Sequence, residues 1–104
     1  MTGPVLTVGD GVIREMARLA ALEIPGVLRV ARTGPVWRNQ LAGSGVRVRV
    51  RDGEVHLKVW IVARPAQPVA AIADQARVAI AAAVVRLLGL KLGSVRVIVD
   101  GVGG

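Results

Sequence analysis

The stretch GVRVRVRDGEVHLKVWIVA, residues 45–63, alternates apolar and polar side chains on both sides of an Asp-Gly pair. Alternation of period two sends successive side chains to opposite faces of a strand, and a two-residue Asp52-Gly53 loop with positive φ at both positions joins two such strands in a single register. That register sets Arg51 opposite Glu54, Arg49 opposite His56 and Arg47 opposite Lys58. One face of the hairpin then carries Val46, Val48, Val50, Val55, Leu57, Val59 and Ile61. The other carries Arg47, Arg49, His56 and Lys58, with Trp60 beyond them. Like charges directly opposite each other cost roughly a few tenths of a kcal/mol per pair, so a face this basic requires a reason.

The apolar face of the hairpin has to be covered, and the flanking sequence supplies the cover. Asp10 can cap a helix over residues 11–22 by accepting from the free amides of the first turn, with Val12, Ile13, Met16, Leu19 and Ala20 on its inner side and Arg14, Arg18 and Ala21 on its wet side. Pro25-Gly26 ends that pattern, and VLRVA (27–31) reads as a strand. Pro68 can occupy the first turn of a long helix that runs to Leu88, with Gly89 just past its end where a left-handed residue is wanted. Val69, Ile72, Ala73, Ala76, Ile80, Ala83, Val84 and Leu87 form its core stripe. SVRVIVD (94–100) closes the chain as a strand with Val95, Val97 and Val99 inward. PVLTV (4–8) reads as a further short strand, and residues 32–44, which include Trp37, as a loop.

The order of elements predicts an α+β fold: a two-layer sandwich in which a mostly antiparallel sheet of four to five strands carries two helices on one face. A crossover through the long helix places the last strand parallel to the strand it follows or to a near neighbour. Residues 1–104 form a single domain, with 101–104 as a frayed tail. The other sheet face is left open, and Arg47, Arg49, His56, Lys58 and Trp60 point into it.

Composition narrows what such a domain does. The chain of 104 residues has no cysteine and one histidine, so thiolate sites, disulfides and histidine metal clusters are excluded. Asp74, Arg77 and Arg86 interrupt the most apolar stretch, which therefore falls short of the ~18–20 uncharged residues of a membrane span. The N-terminal MTGPVLTVGDG has neither a basic start nor a long apolar run, so no cleaved secretion signal is expected and a cytoplasmic location is. A catalytic reading finds Ser44, Ser94 and His56 without a nucleophile-elbow pattern or a carboxylate related to His56. No cofactor and no small-molecule substrate are expected.

A net charge of +7 favours anionic surroundings: nucleic acid, a phospholipid surface or an acidic partner. Single-stranded RNA binders of the open-sheet type need aromatic platforms for base stacking. Here there is no Phe and no Tyr, and Trp60 alone stands on the face. The plainer account is a solvated basic face that keeps sheet edges from pairing with other chains. The long helix adds a second feature. Its outer side offers Ala71, Val78, Ala81, Ala82 and Val85 around Asp74 alone. The plain account is that alanine favours helix and scattered surface valines are ordinary; the sharper one is a surface made to be covered, with a second copy of the chain as its cover.

The segments VGDGVIREMARLAALEIPGVLRV, GVRVRVRDGEVHLKVWIVA, IADQARVAIAAAVVRLLGL and SVRVIVDGV, in this order from Val8 to Val102, resemble the alkaline shock protein family, also called the Gls general-stress type. The most telling pieces are EIPGV after an alanine-rich helix, the GV-x-V hairpin entry, and a terminal V-x-V-x-V-x-GV strand after a helix ending in GL. ARPAQ replaces the family's usual Tyr-Gly after the third strand. The resemblance implies a non-enzymatic protein of envelope stress response and homeostasis. Such a protein gathers peripherally at the inner face of the cell membrane, commonly through a membrane-anchored protein partner, and self-associates. A small basic nucleic-acid-binding domain using the open sheet face stands as the alternative.

Overall fold

The computed structural model describes residues 9–32 and 45–103. The short strand expected at 4–8 and the loop with Trp37 lie outside the described residues. The chain runs through α1 (Asp10–Leu22), β1 (Val27–Val30), β2 (Val46–Arg51), β3 (Glu54–Ala63), α2 (Val69–Ala82), a π-helical turn (Ala83–Leu87) and β4 (Leu92–Val102). Asp52 and Gly53 have φ of 54° and 76°. The hairpin accordingly takes the expected register, with Arg47, Arg49 and Arg51 opposite Lys58, His56 and Glu54.

β3 is the centre of the sheet. On one side it pairs in parallel with β4 along its whole length, from Val55↔Leu92 to Ala63↔Val102. On the other side β2 and β1 share its edge in line, both antiparallel to it. The junction between them falls at Trp60, whose backbone oxygen accepts from the Ala31 N–H (3.0 Å) and whose N–H donates to the Gly45 oxygen (2.8 Å). Ala31 and Gly45 therefore meet the edge at adjacent points. Gly45 makes this possible, because at φ +83° a Cβ there would lie 2.8 Å from the Ala31 Cα.

Both helices cover the inward face, where Val46, Val55, Leu57, Val59, Ile61 and Ala63 of the sheet meet Ile13, Ala17, Ala20 and Ala21 of α1 and Ile72, Ala76 and Ile80 of α2. Burying one Ile or Val side chain stabilises by about 1.5–3 kcal/mol, so this layer of aliphatic side chains carries the fold. Val95, Val97 and Val99 pack against it as expected.

Several details differ from the sequence reading, each for a physical reason. Gly9, not Asp10, is the N-cap of α1: its carbonyl accepts from the Val12 and Ile13 amides, and Asp10 is already helical with no capping bond from its side chain. The buried stripe of α1 is rotated, leaving Val12 and Leu19 exposed and burying Ala21, expected on the wet side, because Ala17, Ala20 and Ala21 are the side small enough to settle closely onto its neighbours. Val50, near the hairpin end, is exposed as well. Pro68 is the N-cap of α2 and not a residue of its first turn, and Val69 beside it is exposed. The long helix does not stay α-helical to Leu88. The π turn inserts one extra residue into the spiral, so Leu87 swings out to 68 % exposure while Leu88 packs on the core. Gly89, at φ +65°, ends the helix as expected. Finally, β4 continues through Gly101 and Val102, and the Gly103 N–H donates to the Ala63 oxygen (3.0 Å), where a frayed end was expected. β3 is long enough to give those residues partners.

The junction at Gly45 yields a stability test. Gly53→Ala meets no neighbouring atom and carries only the left-handed strain of about 1–2 kcal/mol. Gly45→Ala adds backbone overlap with Ala31 to that strain, and the loss expected is roughly 2–4 kcal/mol. Urea midpoints of the two variants should fall in that order.

Candidate functional site

The outward residues of β3 are flanked by those of β2 and β4, and the two registers together set up cross-strand rows. Lys58 stands between Arg47 of β2 and Arg96 of β4, so three cations lie side by side on neighbouring strands about 4.8 Å apart. In the next row His56 stands between Arg49 and Ser94. The His56 Nδ1 and Ser94 Oγ atoms are 2.9 Å apart. A Cβ at Gly93 would overlap the imidazole, so the ring can lie over the backbone only because that residue is glycine. Arg47, Arg49, His56, Leu57, Lys58, Ser94 and Arg96 line an open notch with no carboxylate among them.

Trp60 is also on this face but is not a free platform. It is 8 % exposed, and the guanidinium of Arg32 lies 4.4 Å from its ring centroid, with Lys58 Nζ at 5.6 Å and the Arg47 guanidinium at 5.9 Å. Cation–π attraction of this kind holds long basic side chains in place. The indole thus orders the cations instead of stacking bases.

The sequence singled out Arg47, Arg49, His56, Lys58 and Trp60, and the structure brings all five together. It adds Arg96 and Ser94, which alternation alone turned outward but could not place beside Lys58 and His56, and it adds Arg32 over the indole. Ser94 and His56 do meet. Their next neighbour in the row is Arg49, whereas a hydrolytic triad needs a carboxylate there.

The outer surface of the helical layer has the opposite character. Asp10, Glu15, Glu23 and Asp74 balance Arg14, Arg18, Arg77 and Arg86 on the helices and the α1 cap, so the whole excess of +7 lies in the strands and the segments that connect them. Arg18 donates to the Glu15 carboxylate and Arg77 to that of Asp74. The first of these bonds lowers the affinity of Glu15 for its proton and raises that of Arg18. Between the charged pairs, Val78 and Val85 are 54 % and 50 % exposed, and Leu87 joins them. Ala71 is exposed, while Ala81 and Ala82 are half-buried, Ala82 in an open groove between the helices that Met16, Leu19 and Leu87 also line.

The cation row makes a prediction about stability. Arg96→Thr relieves one like-charge contact and places a good strand former. It should raise the melting midpoint at low salt by an amount worth about a few tenths of a kcal/mol, and the gain should vanish at high salt as the charges are screened.

A model of the ASP23 family, described as having a cell envelope-related function, matches residues 4–103. Comparison with curated proteins finds no significant match. Among solved structures, a MamM CTD variant superposes with a TM-score of 0.60 at 19 % identity, covering 89 % of this chain and 98 % of that one. A MamM CTD variant in its manganese form gives 0.59 at 20 % identity, covering 89 % and 99 %. The MamM CTD in its copper form gives 0.58 at 20 % identity, covering 88 % and 85 %. At this level of identity the likeness shows the fold alone. Among the described residues no group of three or more His, Cys, Asp or Glu side chains is placed to hold a metal ion.

Proposed function

The chain belongs to the alkaline shock protein (ASP23) family, and from that premise we propose that it is a non-enzymatic assembly module of cell-envelope homeostasis and envelope stress response. It self-associates and binds protein partners at the cytoplasmic side of the membrane. The observation that carries this reading is the division of chemistry between its two outer faces. The helical layer is electrically balanced and exposes Val78, Val85 and Leu87, whereas the sheet face gathers Arg47, Arg49, Lys58 and Arg96. A surface of the first kind meets its own copy without charge repulsion, and a two-fold arrangement is the commonest way for it to do so. Such an interface leaves the basic face of each copy free for an anionic partner.

Among the described residues no helix is long and apolar enough to cross a membrane, so the proposed location is peripheral, reached through a membrane-anchored partner. Nucleic acid as an alternative ligand would use the same cations for its phosphates. Among the described residues it would find no free ring for base stacking, because Arg32, Lys58 and Arg47 already surround Trp60.

The test is a double substitution. Val78→Glu with Val85→Glu changes two exposed side chains, and surface changes of this kind alter monomer stability by less than ~0.5 kcal/mol each. Multi-angle light scattering should show a mass above the monomer for the parent and a folded monomer, by circular dichroism, for the variant. A parent that is monomeric at high concentration, or a variant that keeps the parent's mass, contradicts the helical interface.

A further inference from the structure

We propose that the notch on the sheet face is a phosphoryl site that takes the phosphate monoester headgroup of an anionic lipid, so that the sheet lies directly on the bilayer. This rests on the proposed placement at the inner face of the membrane and goes beyond it by naming what the basic face binds. The central observation is the row Arg47–Lys58–Arg96. Three cations held side by side with no carboxylate among the lining residues repel one another, and a polyvalent anion between them turns that repulsion into attraction. A phosphate monoester carries close to two charges and three acceptor oxygens.

The geometry suits that group. Arginines from the two outer strands of the row approach from opposite sides and can each offer paired N–H donors to phosphate oxygens, while the lysine between them supplies a compact charge. Ser94 stands in the adjoining row and adds a neutral donor. When His56 carries a proton on Nδ1 it donates to Ser94 Oγ, and the serine O–H is then directed elsewhere, with the notch beside it. Trp60 holds Arg47 and Lys58 near their positions before any ligand arrives, which lowers the cost of ordering them.

Charge distribution selects a lipid surface as the source of the phosphate. The notch opens straight to solvent from the outer face of a sheet, and the entire +7 excess of the chain lies in the strands and their connections, away from the balanced helices. A planar array of anions meets such a face broadside, and each basic residue near the surface strengthens binding roughly fivefold. The apolar helical surface points to the other side and stays available for self-association.

Cosedimentation with phosphatidylcholine vesicles tests this, using vesicles that contain either phosphatidic acid or phosphatidylglycerol at matched surface charge. The protein should bind the phosphatidic acid vesicles about tenfold more tightly, the scale expected of added charge-assisted hydrogen bonds. Arg47→Gln and Arg96→Gln should each remove that preference. Ser94→Ala should narrow it without any change in charge. Arg14→Gln, which deletes the same charge from the helical layer, should leave it intact. Equal binding to the two anionic lipids, or equal losses for Arg14, Arg47 and Arg96, would mean undirected surface attraction and overturn the site. Inorganic phosphate that binds the protein while vesicles do not sediment it would overturn the lipid source. Light scattering on the same samples separates this from the assembly reading: protein that self-associates but ignores both vesicles overturns only the lipid site, and a monomer that prefers phosphatidic acid overturns only the assembly.

Discussion

The alternation along β3, held in one register by the turn at Asp52-Gly53, is the constraint on which both faces depend. Each residue of β3 is paired on at least one side, and up to Val59 its positions alternate between polar Glu54, His56 and Lys58 and buried Val55, Leu57 and Val59. A slip of one residue would put Val48 and Leu57 into water and Arg47 and Lys58 against the helices. The left-handed Asp52-Gly53 loop makes the slipped pairing unavailable, since it closes the hairpin with two residues and no more. Everything on the outward face follows from that choice, including the meeting of Arg47 with Lys58. The parallel addition of β4 then extends the same sorting, with Val95, Val97 and Val99 inward and Ser94 and Arg96 outward.

The two faces of the sheet make opposite contributions to stability. The inward layer consists of aliphatic side chains with no buried polar group among the described residues, so it stabilises without depending on pH or on charge screening. The outward layer does the reverse, concentrating like charge where opposite charges would serve a sheet better. Cation–π contacts with Trp60 offset part of that cost and fix the side chains at the same time. A domain that needed only solubility could spread its arginines among acids, as its own helices do with Glu15 and Arg18 or with Asp74 and Arg77.

How far the sequence could be read depended on how local the determining interaction was. The hairpin register, the basic face and the parallel placement of the last strand were legible, because a two-residue turn and a helical crossover each leave few alternatives. The family resemblance was legible too, and the family match extends from residue 4 to 103. Arg96 and Ser94 were out of reach, since their place beside Lys58 and His56 is fixed by pairing between strands separated by a whole helix. The exposure of Leu87 was hidden by the π turn, which breaks the 100° step on which a helical wheel relies. The inner side of α1 was misjudged because large residues at Val12 and Leu19 outweighed Ala17 and Ala21 in the pattern, although close packing favoured the alanines. Val78 and Val85 were placed on the exposed side correctly, being N-terminal to or within the first part of the disturbance.

In the function we propose, the helical face drives assembly by apolar contact while the sheet face is reserved for anions. Mass measured by light scattering across a series of salt concentrations tests it most directly. Apolar association persists or strengthens as sulfate is added, whereas contacts made by the cation row weaken with screening. A mass above the monomer that holds or grows with added sulfate is the result expected. An assembly that dissolves into monomers as salt rises would show that the basic face, and not the helices, holds the copies together.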